Sequence, residues 1–180
     1  MASSSPRAPA PSPAPAVIAL YGPTASGKTA VAGHLRELVG GEVVSADSAA
    51  LYAGLPVLTA APDYPARLVG VVPLTEDVSV GSYQALAHAA IDEVVAAGRT
   101  AIVVGGTGLY LRAALSALEL PPPPEPGERE RWEALYAELG PEGAHGVLAQ
   151  QDPAAAARVH ANDRRRVVRA LELAATGRSL

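Results

Sequence analysis

One octapeptide constrains this chain more than anything else in it. Gly22-Pro23-Thr24-Ala25-Ser26-Gly27-Lys28-Thr29 fits the pattern G-x-x-x-x-G-K-[ST] at every position. The apolar run Val17-Ile18-Ala19-Leu20-Tyr21 precedes it and reads as a buried strand. From Lys28 to Val39, apolar residues recur at helical spacing. A strand that turns through glycines into a helix N-terminus aims backbone amides at an anion. Lys28 adds a point charge, and the Thr29 hydroxyl can hold Mg²⁺. The chain has thirteen arginines and one lysine, and that lysine is Lys28. A compact ammonium fits between phosphate oxygens where a planar guanidinium is too wide. The octapeptide is therefore a polyphosphate-binding loop.

The pattern beyond it alternates. Glu42 to Ala46 reads as a strand ending at Asp47, and Leu68 to Leu74 as a third strand. Ser82 to Ala97 reads as a helix, Thr100 to Val104 as a buried strand before Gly105-Gly106, and Leu109 to Leu118 as a helix. Such alternation predicts an α/β fold, a parallel sheet flanked by helices, with ligands at the C-terminal strand ends. Three candidate sites fall at such ends: Gly22 to Thr29, Asp47-Ser48, and Gly105-Gly106-Thr107-Gly108. Asp47 can cap a helix, hold Mg²⁺ or act as a general base, and spacing leaves these open. A carboxylate of the Walker B kind would fit after Val104, but glycine stands there. That departs from the commonest nucleotide-hydrolysing arrangement.

Proline marks the boundaries. Residues 1–16 read as a disordered Ala/Ser/Pro tail, 17–120 as the α/β core, and 121–127 as a stiff proline-rich linker. Residues 128–180 read as a helical region: Glu128 to Leu139, Gly143 to Gln151, and Asp163 to Ala175. Asp152-Pro153 suits one helix start, and Asn162 or Asp163 another. From Arg158 to Arg178 there are six arginines against two acids. In a helix, Arg165, Arg166 and Arg169 share one face, which suits nucleic-acid phosphates or plain solvent. With no cysteine, disulfides, thiolate zinc sites and cysteine nucleophiles are excluded. The net charge of −4 excludes a uniformly basic coat. No apolar run approaches the ~18 residues of a membrane span, and the N-terminus lacks the apolar core of a secretory signal, so a cytoplasmic protein is expected. The four histidines show no metal-ligand spacing, and Tyr52 and Tyr110 read as packing residues.

Together these segments resemble the tRNA dimethylallyltransferase (isopentenyltransferase) family. The loop GPTASGKT, Asp47-Ser48 with Tyr52 and Gly54-Leu55, Val103 to Tyr110 as VVGGTGLY, and Asp152-Pro153 through Thr176-Gly177 follow the family's blocks in order. The resemblance implies a P-loop-NTPase-like core. It also implies transfer of a dimethylallyl group from dimethylallyl diphosphate to N6 of the adenosine 3′ of the anticodon. By the same resemblance, Gly22, Pro23, Thr24, Ala25, Ser26, Gly27, Lys28 and Thr29 hold the diphosphate, with Mg²⁺ on Thr29. Asp47, Lys28 and Thr107 carry the chemistry. Asp47, Ser48, Ala49, Ala50, Thr107, Arg165, Arg166, Val167, Val168 and Arg169 meet the anticodon stem-loop of tRNA. The enzyme is expected to act as a monomer. Departures are Ala50, where the family often has Gln, and Leu58-Thr59-Ala60-Ala61-Pro62, where it has G-T-A-K-P. Family chains continue past the Thr-Gly block, so a chain ending at Leu180 is expected to be C-terminally truncated. A kinase, an isopentenyltransferase of free adenine nucleotides and an inactive diphosphate-binding fragment are the alternatives.

Overall fold

The computed structural model describes residues 16–121 and 123–180. The tail expected over residues 1–16 lies outside these except for Ala16, as does Pro122 of the proline-rich stretch. Contacts divide the chain into two units, the first ending at Glu119 and the second running Leu120–Leu180.

The first unit holds β1 (Val17–Tyr21), α1 (Lys28–Val39), β2 (Glu42–Ser45), β3 (Ala66–Arg67), α2 (Val80–Ala96), β4 (Ala101–Gly105) and α3 (Gly108–Leu115). The four strands form one parallel sheet in the order β1-β4-β2-β3. Period-two alternation sorts its apolar residues onto two faces. Val43 and Ile102 pack with Ala32 of α1 on one face. Val44 and Val103 pack with Tyr83, Ala87 and Val94 of α2 on the other. With helices on both faces, β2 and β4 are buried along almost their whole length. The register Ser45↔Val104 and Tyr21↔Gly105 aligns the ends of β2, β4 and β1. The three candidate sites follow those ends.

One strand lies elsewhere than expected. The run Leu68 to Leu74 is not a strand; β3 is Ala66–Arg67, paired with Val43 and Val44. Leu68 takes a left-handed conformation (φ 59°), which turns the chain out of extended geometry. Only Val72 of that run pairs, in a single bridge to Tyr52. Arg67 anchors β3 instead, through Glu42 at 2.6 Å and Glu93 at 2.5 Å.

The second unit holds α4 (Glu128–Gln151), α5 (Pro153–Ala156) and α6 (Arg164–Ala175). Two helices were expected where α4 runs, and the backbone does break at Gly140 (φ 70°, ψ 178°). The cause is Pro141, whose ring excludes helical geometry from the residue before it. Asp152 caps α5 by accepting from the Ala155 amide at 2.9 Å, and Asp163 caps α6 by accepting from Arg166 at 3.1 Å. The unit buries its own core, built on Trp132, Tyr136, Leu148, Val167 and Leu171.

Candidate functional site

The strand ends of the first unit enclose a cavity of about 150 Å³. All three sequence motifs reach it: Thr24, Ala25, Lys28 and Thr29 from the loop, Asp47 and Ala50 from the end of β2, and Gly105 and Gly106 from the end of β4.

The loop has the shape its glycines allow. Gly27 sits at φ 84° as the N-cap of α1, a conformation strained for any L side chain. Ala25 also lies in the left-handed region, at φ 62°. Non-glycine residues held there cost roughly 1 kcal/mol or more, and they cluster at ligand sites. The Lys28 ammonium donates to the Pro23 carbonyl at 2.5 Å, back into its own loop. A Cβ added at Gly106 would lie 3.8 Å from the Lys28 Nζ and 3.4 Å from the Gly22 carbonyl. The glycine-rich turn after β4 therefore runs directly beside the phosphate loop.

Gly105 is under the tighter constraint. A Cβ there would meet the Ala46 carbonyl oxygen at 2.6 Å and the Ala46 Cβ at 2.9 Å. The Ala46 amide also donates to the Val104 carbonyl at 2.7 Å. The ends of β2 and β4 are thus pressed together, with no room for a side chain at the position a Walker B carboxylate would use.

Asp47 is exposed on the cavity rim. Its Oδ1 accepts from the amides of Ala49 at 2.9 Å and Ala50 at 3.4 Å. It therefore caps a turn, not a helix. Its Oδ2 has no hydrogen-bond partner among the described residues. Thr107 begins α3 and is exposed, and its hydroxyl makes no capping bond. Thr107 lies one residue beyond the cavity lining, which ends at Gly106. Ser48 is half-buried, Ala49 exposed, and Ala50 buried against the cavity.

The remaining candidates belong to α6 of the second unit. Arg165 and Arg166 are exposed, and Arg166 pairs with Asp163 at 3.5 Å. Arg169 bonds the buried Glu172 at 2.8 Å, which Arg129 also holds at 2.9 Å. Burial pushes the Glu172 carboxyl up, but the two guanidiniums outweigh it and hold the group below the ordinary carboxylate range. Val167 and Val168 are buried in the helical core, so their side chains cannot touch a ligand. The resemblance set both among the RNA contacts; here both pack in the helical core with Trp132 and Leu171.

Sequence reasoning missed one wall of the cavity. Thr59, Ala60, Ala61, Pro62, Tyr64 and Val69 supply it. Tyr64 fastens that wall to α1. Its hydroxyl donates to the Thr29 carbonyl at 2.7 Å, and its ring packs where a Cβ on Gly33 would lie, 2.9 Å from Cε1. Arg36 covers the same ring, 5.6 Å from its centroid. Burial, with Asp63 alongside, raises the Tyr64 pKa above the ordinary phenol value, so the hydroxyl stays a donor. The signal available in sequence was the block Thr59-Ala60-Ala61-Pro62, which stands where the resembled family has a motif of its own.

Fold and site define a class: a parallel α/β protein whose P-loop faces a glycine-rich strand end in place of a Walker B carboxylate. Comparison with known proteins narrows it. The family model described as IPP transferase matches residues 50–180. A curated tRNA dimethylallyltransferase of Caulobacter sp. (strain K31) is 47% identical over 171 residues, covering 91% of this chain and 55% of the relative. A full-length tRNA isopentenylpyrophosphate transferase of Bacillus halodurans superposes with a TM-score of 0.56 at 36% identity, over 93% of this chain and 57% of that one. A eukaryotic dimethylallyltransferase, solved in snapshots acting on tRNA, gives a TM-score of 0.66 at 26% identity, over 88% and 41%. The chain belongs to the IPP transferase family. It spans about half the length of the curated relatives it matches.

Proposed function

We propose that this chain transfers a dimethylallyl group from dimethylallyl diphosphate to N6 of the adenosine 3′ of the anticodon in tRNA. The observation that carries the reading is the packing of Gly105 onto Ala46 beside a complete phosphate loop. It favours a diphosphate leaving group over a nucleotide hydrolysed by an activated water. In the reaction, the allylic C1–O bond breaks and the N6–C1 bond forms. The loop amides and Lys28 take up the charge of the departing diphosphate. Asp47 accepts the N6 proton at Oδ2 while the Ala49 and Ala50 amides hold Oδ1. Thr107 stands at the rim, its hydroxyl unused by the helix cap, toward the adenine. The target base must leave its stack to reach such a cavity. Ser48, Ala49, Ala50, Arg165 and Arg166 are the remaining RNA contacts on this reading, with Arg169 beside them.

Among the described residues no group of three His, Cys, Asp or Glu gathers as a metal site. The Thr29 hydroxyl and the Asp47 carboxylate line one cavity, an oxygen donor set that suits Mg²⁺ shared with substrate phosphates. Mg²⁺ bound at Thr29 would neutralise diphosphate charge. Among the described residues no helix is long and apolar enough to cross a membrane. On this reading the protein works in the cytoplasm as a monomer.

The test is transfer of label from dimethylallyl diphosphate, with Mg²⁺, to tRNA and in parallel to AMP. Label in tRNA that disappears in Asp47→Ala supports the reading. Label in AMP alone assigns the protein to free nucleotides. Transfer to neither, with diphosphate binding retained, overturns catalysis by this chain alone.

A further inference from the structure

The end of β2 is gripped from beneath by a residue that no motif contains. Tyr83 lies in α2, and its side chain is wholly buried (0% exposed). Its hydroxyl donates to the Ser45 carbonyl at 3.0 Å. Burial, with Tyr110 beside it, pushes that hydroxyl far above the ordinary phenol range, so it donates at every working pH. Tyr110, from the glycine-rich motif of β4 and α3, sets its ring 4.7 Å from that of Tyr83, tilted by 47°.

Three adjacent residues are thus held by three different means. Tyr83 holds the Ser45 carbonyl. The Ala46 amide is tied to Val104, and Gly105 closes beneath it. The Asp47 carboxylate is fixed by the amides of Ala49 and Ala50. A phenylalanine would fill the same core volume, so packing alone does not call for the hydroxyl. Burying a hydroxyl costs free energy unless it is bonded, and this one is spent on the carbonyl two residues before the carboxylate.

We infer that Tyr83 is a positioning residue for Asp47, acting through the Ser45 carbonyl, and that Tyr110 holds Tyr83 in register. The inference rests on the role proposed above for Asp47. A carboxylate displaced by a fraction of an ångström is a poorer base for a weakly nucleophilic amine, while the phosphate loop is left as it was.

The experiment compares wild type, Tyr83→Phe and Tyr110→Leu by two readouts. In steady-state transfer to tRNA at saturating donor, Tyr83→Phe is expected to lower kcat roughly tenfold and leave the KM for dimethylallyl diphosphate within about twofold. In hydrogen exchange followed by mass spectrometry or NMR, the amides of Ala49 and Ala50 are expected to exchange faster in Tyr83→Phe, with those of α1 unchanged. Tyr110→Leu keeps the hydroxyl and loosens the ring, and moves both readouts the same way by less. A purely structural role would lower Tm and leave kcat of the folded enzyme and both amides as in wild type; that result overturns the inference. If wild type transfers nothing, the proposed function fails, and exchange alone decides: faster exchange at Ala49 and Ala50 supports positioning, and unchanged exchange sinks it.

Discussion

In the α/β unit the ionic groups facing the cavity are held by backbone, whereas in the helical unit a buried carboxylate, Glu172, is held by guanidiniums. Lys28 rests on the Pro23 carbonyl, and Asp47 on the amides of Ala49 and Ala50. Glu172 sits between Arg129 and Arg169, Arg164 reaches Glu133, and Arg166 reaches Asp163. A charge held by a carbonyl or an amide keeps its opposite-charge partner still to come, so a ligand can supply it. A buried charge already matched by two guanidiniums is committed to the fold. Two charged clusters that look alike in a sequence thus serve different ends.

The sharpest way to break this contrast is Asp47→Ala. If the cavity groups exist for a ligand, transfer is expected to fall by about 10²–10⁴-fold, the usual span for a lost general base. The unfolding midpoint should hardly move, because the residue is exposed and caps only a turn. A large fall in stability with activity intact would invert the comparison.

Glu172→Gln tests the other side. Leaving two partly solvated guanidiniums without their buried partner is expected to cost about 1–2 kcal/mol. The chain's single tryptophan, Trp132, is buried in the helical unit, so its fluorescence follows that transition. The pH dependence carries a definite sign. The folded Glu172 carboxyl lies below its unfolded value of about 4.3, so its contribution is complete above that pH. It is lost as pH falls through the folded value. Wild type should weaken on that acid limb, and Glu172→Gln should show a flatter one.

Gly105→Ala is expected to destabilise the α/β unit by about 2 kcal/mol, since the added methyl meets backbone and not a flexible side chain. Circular dichroism should record the change while the Trp132 signal keeps its midpoint. A shift of the Trp132 midpoint would show that the two units unfold as one.

Smaller effects refine the picture. Tyr64→Phe removes the bond to the Thr29 carbonyl, worth about 1 kcal/mol, and diphosphate binding measured by calorimetry should weaken roughly fivefold. Arg165→Ala should weaken RNA binding and lower the slope of log affinity against log salt by about 1. Arg169→Ala should act chiefly on the Trp132 transition, because its guanidinium is engaged by Glu172.

The strand ends and their glycines were legible because each motif carries a local physical reason: a turn into a helix, or a strand that stops at a small residue. The helices were legible from periodicity and caps, down to Asp152, while the choice between Asn162 and Asp163 was made only by the bond from the Arg166 amide. The cavity wall from Thr59 to Val69 was not, because its backbone follows no period. Its strand is two residues long, and Ala60 and Leu68 turn it through left-handed conformations that sequence does not announce. The apolar stretch after Leu68 looked like a strand, while an arginine fixed the true one, through acids 25 and 26 residues away in sequence. The arginine cluster was visible as composition. Its division into surface and structural members depended on Glu172, whose burial only the packed helices reveal.

The contact between Gly105 and Ala46 also limits what this site can become. A single substitution that restored a carboxylate after Val104 would drive its Cβ into main-chain atoms, which cannot swing aside as a side chain can. The neighbouring strand would first have to move apart. One point mutation therefore does not convert this strand end into a Walker B arrangement, because the obstacle is main chain and not a side chain.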